Sequence, residues 1–105
     1  ISPLKIENEL FNIEFIDQAV VYGDNKPYLV ALLVLNEESF NIKKDKIHNE
    51  INKLNNNLSK IENIKKFFVI KEKFSIENGM LTPTLKLKRY KIINKFKNNF
   101  ENLYK

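Results

Sequence analysis

Lys86, Lys88 and Arg89 are the residues of this chain best placed to do chemistry, and that chemistry is electrostatic: the delivery of positive charge to an anion. They close the stretch Glu77 to Arg89, which reads Glu-Asn-Gly-Met-Leu-Thr-Pro-Thr-Leu-Lys-Leu-Lys-Arg. It holds one of two glycines, one of three prolines and the only arginine in the chain. Gly79 permits a backbone turn that other residues resist. Pro83 fixes its own φ and pushes Thr82 toward extended geometry, so no helix is predicted to run through this point. A loop held at both ends and finishing in cations suits charge delivery. A solvated basic helix start would use the same residues. Cations at a helix N-terminus oppose its dipole, which favours another purpose.

Other chemistries lack partners. There is no cysteine, which removes disulfides, thiolate nucleophiles and Cys-based zinc sites and fits a cytoplasmic location. His48 is the single histidine, so neither a histidine metal site nor a Ser-His triad can be assembled, and an ordinary surface histidine is expected. Glu7, Glu9 and Glu14 read as acids near an N-terminal helix, and Glu37 and Glu38 as a helix start. With two glycines the chain cannot build a glycine-rich phosphate loop, so it cannot cradle a nucleotide alone.

The elements that must position the loop follow from patterning. Ser2-Pro3 opens a helix to about Asn12, with Leu4, Glu7, Leu10 and Phe11 at helical spacing. Ile16 to Tyr22 reads as a strand, Gly23 to Pro27 as a turn, and Tyr28 to Leu35 as a strand buried on both faces. Ile47, Ile51, Leu54, Leu58 and Ile61 form one amphipathic helical stripe. Phe67 to Ile70 is a third strand, and Ile93, Phe96, Phe100 and Leu103 mark a C-terminal helix. The fold class is α+β: a small three-stranded sheet, a hairpin plus one strand, covered by helices, in one domain over residues 1–105. The 105 residues suffice for one core, and no apolar run approaches the roughly 20 residues that cross a bilayer. The net charge of +5 comes almost wholly from lysine, in a chain also rich in Asn and Ile. Because Ile1 is not a start methionine, a piece of a longer protein is expected.

Three separated motifs carry a resemblance. Glu77 to Arg89 is similar to the C-terminal signature of long-chain fatty acid–CoA ligases, in the adenylate-forming superfamily. Ile1-Ser2-Pro3-Leu4-Lys5-Ile6-Glu7-Asn8 resembles the segment just after that family's hinge, and Gln18 to Leu32 resembles its hairpin. The likeness covers nearly the whole chain in the right order. It implies the C-terminal lid domain of an enzyme that joins a fatty acid to ATP, releasing pyrophosphate, and then transfers the acyl group to CoA with loss of AMP. The lid rotates between the two steps. By the superfamily pattern of Gly-Lys, an aliphatic residue and an arginine two positions on, Leu85 to Arg89 aligns and Lys86 carries over as the lysine of adenylation. Leu85 stands where many relatives have glycine, a departure shared with the long-chain branch, and Lys88 remains the alternative. Thr82, Pro83 and Thr84 would shape the nucleotide-binding loop. Arg89 would either bind phosphate or pair with an acid of the partner domain.

The resemblance also implies what lies elsewhere. ATP and Mg²⁺ would be bound mainly by an N-terminal adenylation domain, which would be this domain's partner together with the fatty acid and CoA. Of the CoA-contacting segment only its end, near Ile1 to Pro3, is present. The 105 residues alone are expected to fold without catalysing. Two other readings compete: a basic nucleic-acid-binding module, which would need aromatics exposed among lysines on a sheet face, and a peripheral membrane-binding module using the basic, aromatic C-terminal helix. Packing on the sheet is the expected fate of those aromatics. No nucleic acid partner is therefore expected, while the whole enzyme is allowed a cytoplasmic, membrane-associated location.

Overall fold

A computed structural model describes residues 2–105. Ile1, which opens the first of the three motifs, lies outside the described residues. Helix α1 spans Pro3–Phe11, with the Ser2 hydroxyl accepting the Lys5 N–H at 3.4 Å and Pro3 in the first turn, where its missing N–H is not needed. Its buried face shares Glu7 and Leu10 with the predicted stripe but not Leu4 or Phe11. Ile6, Glu7 and Leu10 face inward, whereas Leu4 and Phe11 are each 60% exposed. Both stripes have helical spacing, and only the position of the sheet selects between them.

Strands β1, Ile16–Tyr22, and β2, Leu29–Leu35, form the predicted antiparallel hairpin, with Tyr22 opposite Val30 and Ile16 opposite Leu35. Gly23 gives room beside the turn: a Cβ there would lie 2.3 Å from Leu29 Cδ2 and 3.2 Å from Leu29 Cα, so a larger residue would force the buried Leu29 to shift. All seven residues of β2 are buried, as its unbroken apolar run demands, and β2 is the centre of the order β1-β2-β3.

Glu37 and Glu38 open a short 3-10 turn, Glu37–Ser39, and helix α2 follows over Lys44–Asn55. Ile47 and Ile51 are buried, and Leu54 and Leu58 pack against the same core. The predicted stripe does not extend to Ile61, which is 69% exposed on a second 3-10 turn, Lys60–Glu62. The helix stops because its polar end has other partners. The Asn55 amide accepts the Ile64 N–H and donates to the Ile64 carbonyl, both at 2.9 Å, and Ser59 with Glu62 forms a capping box that starts the next turn.

Strand β3, Ile64–Ile70, pairs parallel to β2, with Ala31 opposite Phe67. Parallel pairing requires a crossover, which α2 supplies. Phe67 and Phe68 point to opposite faces. Phe67 joins α1, α2 and the residues Leu29, Ala31, Leu33 and Leu35, while Phe68 joins the second face with Val30, Leu32 and Val34. That second face is covered by residues 74–104, whose helices are α3, Arg89–Lys95, and α4, Lys97–Asn102.

The single C-terminal helix predicted from the pattern is therefore two, broken at Phe96 with φ −103° and ψ 22°. Ile92 and Phe100 are both fully buried. On one straight helix, positions eight apart differ in direction by roughly 80°, and the break re-aims Phe100 at the sheet, 5.0 Å from the Phe68 ring.

Candidate functional site

The segment from Lys71 to Lys88 contains no α-helix, and its shape is set by side chains reaching in from both directions. Phe74 and Met80 are buried in the second core and anchor its first half. Gln18 of β1 acts as an extra piece of strand: its amide donates to the Phe74 carbonyl at 3.0 Å and accepts the Phe74 N–H at 2.8 Å. Asn78 closes the following turn by accepting the N–H groups of Ser75 and Met80, at 3.0 and 3.1 Å, and donating to the Lys73 carbonyl at 2.7 Å. Gly79 then takes φ +80°, the left-handed turn its type predicts.

Residues 81–87 form a miniature hairpin, bridged between Leu81 and Leu87. Thr82 is its hub. The Thr82 N–H donates to the Lys86 carbonyl and its own carbonyl accepts the Leu85 N–H, both at 2.8 Å, while its hydroxyl oxygen accepts the Lys86 N–H at 3.1 Å. The Thr84 hydroxyl lies 3.1 Å from that of Thr82. Pro83 occupies the first corner of this turn, where its fixed φ is already correct. Leu85 sits at φ +64°, in the left-handed region. A turn closed in this way places its next residue where glycine is easiest, which explains in physical terms why glycine would suit position 85. The Lys88 N–H donates to the Met80 carbonyl at 2.8 Å and ties the hairpin back to its anchor.

Lys86 is exposed at the end of this hairpin and, among the described residues, makes no ion pair. It lines a cleft of about 630 Å³ together with Leu4, Phe11, Ala19, Leu85 and Leu87; Lys88 does not line it. The floor of the cleft holds Arg89 and Glu7. Arg89 grips Glu7 with both guanidinium nitrogens, Nη2 to Oε1 at 2.5 Å and Nη1 to Oε2. Glu7 Oε2 also accepts the Val21 N–H at 2.8 Å. The Glu7 carboxylate, through hydrogen bonding first, raises the affinity of the Arg89 guanidinium for its proton beyond the usual value.

Sequence reasoning brought Lys86, Thr82, Pro83, Thr84 and Arg89 into one loop but missed what holds them. Glu7, read as an acid favouring the dipole of α1, is the buried partner of Arg89. Gln18 was not singled out at all. A polar residue beside the buried Ala19, Val20 and Val21 of β1 offered a signal for it, because an amide drawn partly out of water requires partners. His48 is exposed, with its ring 4.6 Å from that of Phe67. Among the described residues no group of three acidic, histidine or cysteine side chains converges as a metal site would require. Among the described residues no helix is long and apolar enough to cross a membrane.

A covered three-stranded sheet that presents an exposed cation from a rigid hairpin defines a class, and the comparisons give it a family. All of residues 1–105 match the AMP-binding enzyme C-terminal domain, and the chain belongs to that family. Its relatives include the long-chain-fatty-acid–CoA ligase FadD15 of Mycobacterium tuberculosis, 30% identical over 99% of this chain and 21% of the relative. They also include long-chain-fatty-acid–CoA ligase 5 of Rattus norvegicus, 32% identical over 99% of this chain and 18% of the relative. The chain thus spans about a fifth of the curated relatives it matches. The A-PCP didomain of carboxylic acid reductase from Segniliparus rugosus, solved in complex with AMP, superposes with a TM-score of 0.90 at 25% identity, over 99% of this chain and 16% of that one. The predicted α+β class, with its sheet of a hairpin plus one strand, and the family read from the three motifs both hold.

Proposed function

We propose that this domain is the lid of a long-chain fatty acid–CoA ligase and that Lys86 assists the adenylation step. The observation that carries the reading is the hairpin of residues 81–87, which holds an unpaired lysine at its end by four hydrogen bonds centred on Thr82 and Lys88. Attack of a carboxylate on the α-phosphate of ATP brings two anions together. An ammonium between them offsets their repulsion and stabilises charge developing at phosphorus. It also orients the carboxylate. A group needed for one step only is well carried on an element that moves between steps.

The exposed hydroxyl of Thr84 and the position of Lys86 at the mouth of an open cleft support contact with a nucleotide presented by another domain. ATP, CoA and the fatty acid are the substrates proposed for the whole enzyme, which we place in the cytoplasm with peripheral membrane association allowed. Mg²⁺ would be held outside this domain, since the described residues offer no converging donor set for it. The nucleic-acid reading loses its platform, because Phe67 is buried in one core and Phe68 is packed in the other. The test is product analysis: the full-length protein, given a long-chain fatty acid, ATP and CoA, is expected to release AMP and acyl-CoA in equal amounts. Release of ADP, or no dependence on fatty acid, would refute it.

A further inference from the structure

We infer that Glu7 is a positioning residue for Lys86, acting through Arg89. The inference rests on the reading of Lys86 given above. Glu7 is the one charged side chain buried among the described residues, 5% exposed, and it sits on α1, far from the loop in sequence. Its carboxylate has three partners: the Val21 N–H near the turn end of β1 and both terminal nitrogens of the Arg89 fork. Arg89 is the first residue of α3, three positions after Lys86, and the same cleft is lined by all three side chains.

Two physical consequences follow. The bidentate grip fixes the direction in which the chain leaves the hairpin, so the backbone of Lys86 is clamped on its C-terminal side by Arg89 and on its N-terminal side by Thr82. The carboxylate also cancels the guanidinium charge. Without it a free cation would stand at the floor of the cleft beside Lys86, able to draw an incoming phosphate away from the lysine. Glu7 thus leaves Lys86 as the cation presented to the nucleotide. Displacement of a catalytic group by about 1 Å can cost around 100-fold in rate, which sets the size of effect to look for.

The experiment uses the full-length protein and compares Glu7→Gln, Arg89→Lys, Lys86→Ala and the double variant Glu7→Gln/Lys86→Ala. Fatty-acid-dependent ATP–pyrophosphate exchange reports adenylation, and thioester formation from preformed acyl-adenylate reports the second step. Glu7→Gln keeps the shape and an acceptor for Val21 but releases Arg89. We expect it to lower kcat for exchange about 10- to 100-fold, leave thioester formation unchanged, and add no further loss when Lys86 is already alanine. Arg89→Lys keeps the charge but not the fork. It should show a smaller loss of the same kind, and it carries the test if Glu7→Gln does not fold. Equal losses in both steps, or losses that multiply in the double variant, would assign Glu7 a purely structural role and overturn the inference. If Lys86→Ala itself leaves exchange intact, the reading of Lys86 fails first, and the inference about Glu7 fails with it.

Discussion

Arg89→Met would strand a carboxylate in the interior, and the structure sets the size of the penalty. Glu7 is 5% exposed and would keep one of its three hydrogen bonds, that from the Val21 N–H. Breaking a buried ion pair from one side costs about 3–5 kcal/mol. Arg89 is 33% exposed, so water can reach the vacated side, and we place the loss near the lower end, about 3 kcal/mol. Glu7→Leu strands less, because the guanidinium can hydrate from its open side. The chief cost is then the unpaired Val21 N–H, about 2 kcal/mol. In the double variant no charge is buried and only that N–H is left, again about 2 kcal/mol. The double variant should therefore be more stable than Arg89→Met alone, with a coupling near 3 kcal/mol. Urea denaturation of the 105-residue chain measures this, with the m-value checked for constancy. Single losses that simply add, to within about 0.5 kcal/mol, would show that the two side chains do not share their energy and would refute the description of Glu7 as a charge held by Arg89.

Two further predictions concern stability. Leu85→Gly relieves a left-handed residue worth roughly 1–2 kcal/mol but loosens the unfolded chain by roughly 0.5–1 kcal/mol, so thermal melts should show it equal to or slightly more stable than the parent. Leu85→Val should melt lower, because a β-branched residue resists φ +64°; a valine variant as stable as the glycine one would deny the left-handed conformation. Tyr104 donates to the carbonyls of Tyr28 and Tyr22, and burial foremost, with Tyr22, Tyr28 and Glu101 nearby, pushes its hydroxyl up to about 12. A raised value favours the protonated form in the folded state. Its contribution is therefore complete below the unfolded value near 10 and is lost as pH rises toward about 12. The urea midpoint of the parent should fall across that window more steeply than that of Tyr104→Phe, and parallel curves would contradict the assignment.

What could be read from the sequence was what local pattern determines. The extents of β1 and β2 came from a continuous apolar run and a dense turn signal, and the left-handed Gly79 came from residue type. The parallel pairing of β3, the inward turn of Ile6 rather than Leu4, and the break at Phe96 depend on where the sheet lies, and no neighbouring residue signals them. The site divides in the same way. Thr82, Pro83 and Lys86 announce a rigid basic loop by their own chemistry. Gln18 and Glu7 act on residues 56 and 82 positions away, and a polar residue among apolar ones signals a need for partners without naming them.

The most direct test of the account is Lys86→Ala beside Lys88→Ala in the full-length protein, assayed for fatty-acid-dependent ATP–pyrophosphate exchange and, separately, for thioester formation from preformed acyl-adenylate. Lys86 stands at the end of a fixed hairpin and lines the cleft, and Lys88 does not. Exchange should fall by orders of magnitude for Lys86→Ala alone, with the second step preserved. Undiminished exchange in Lys86→Ala, or a greater loss in Lys88→Ala, would contradict the account at its centre.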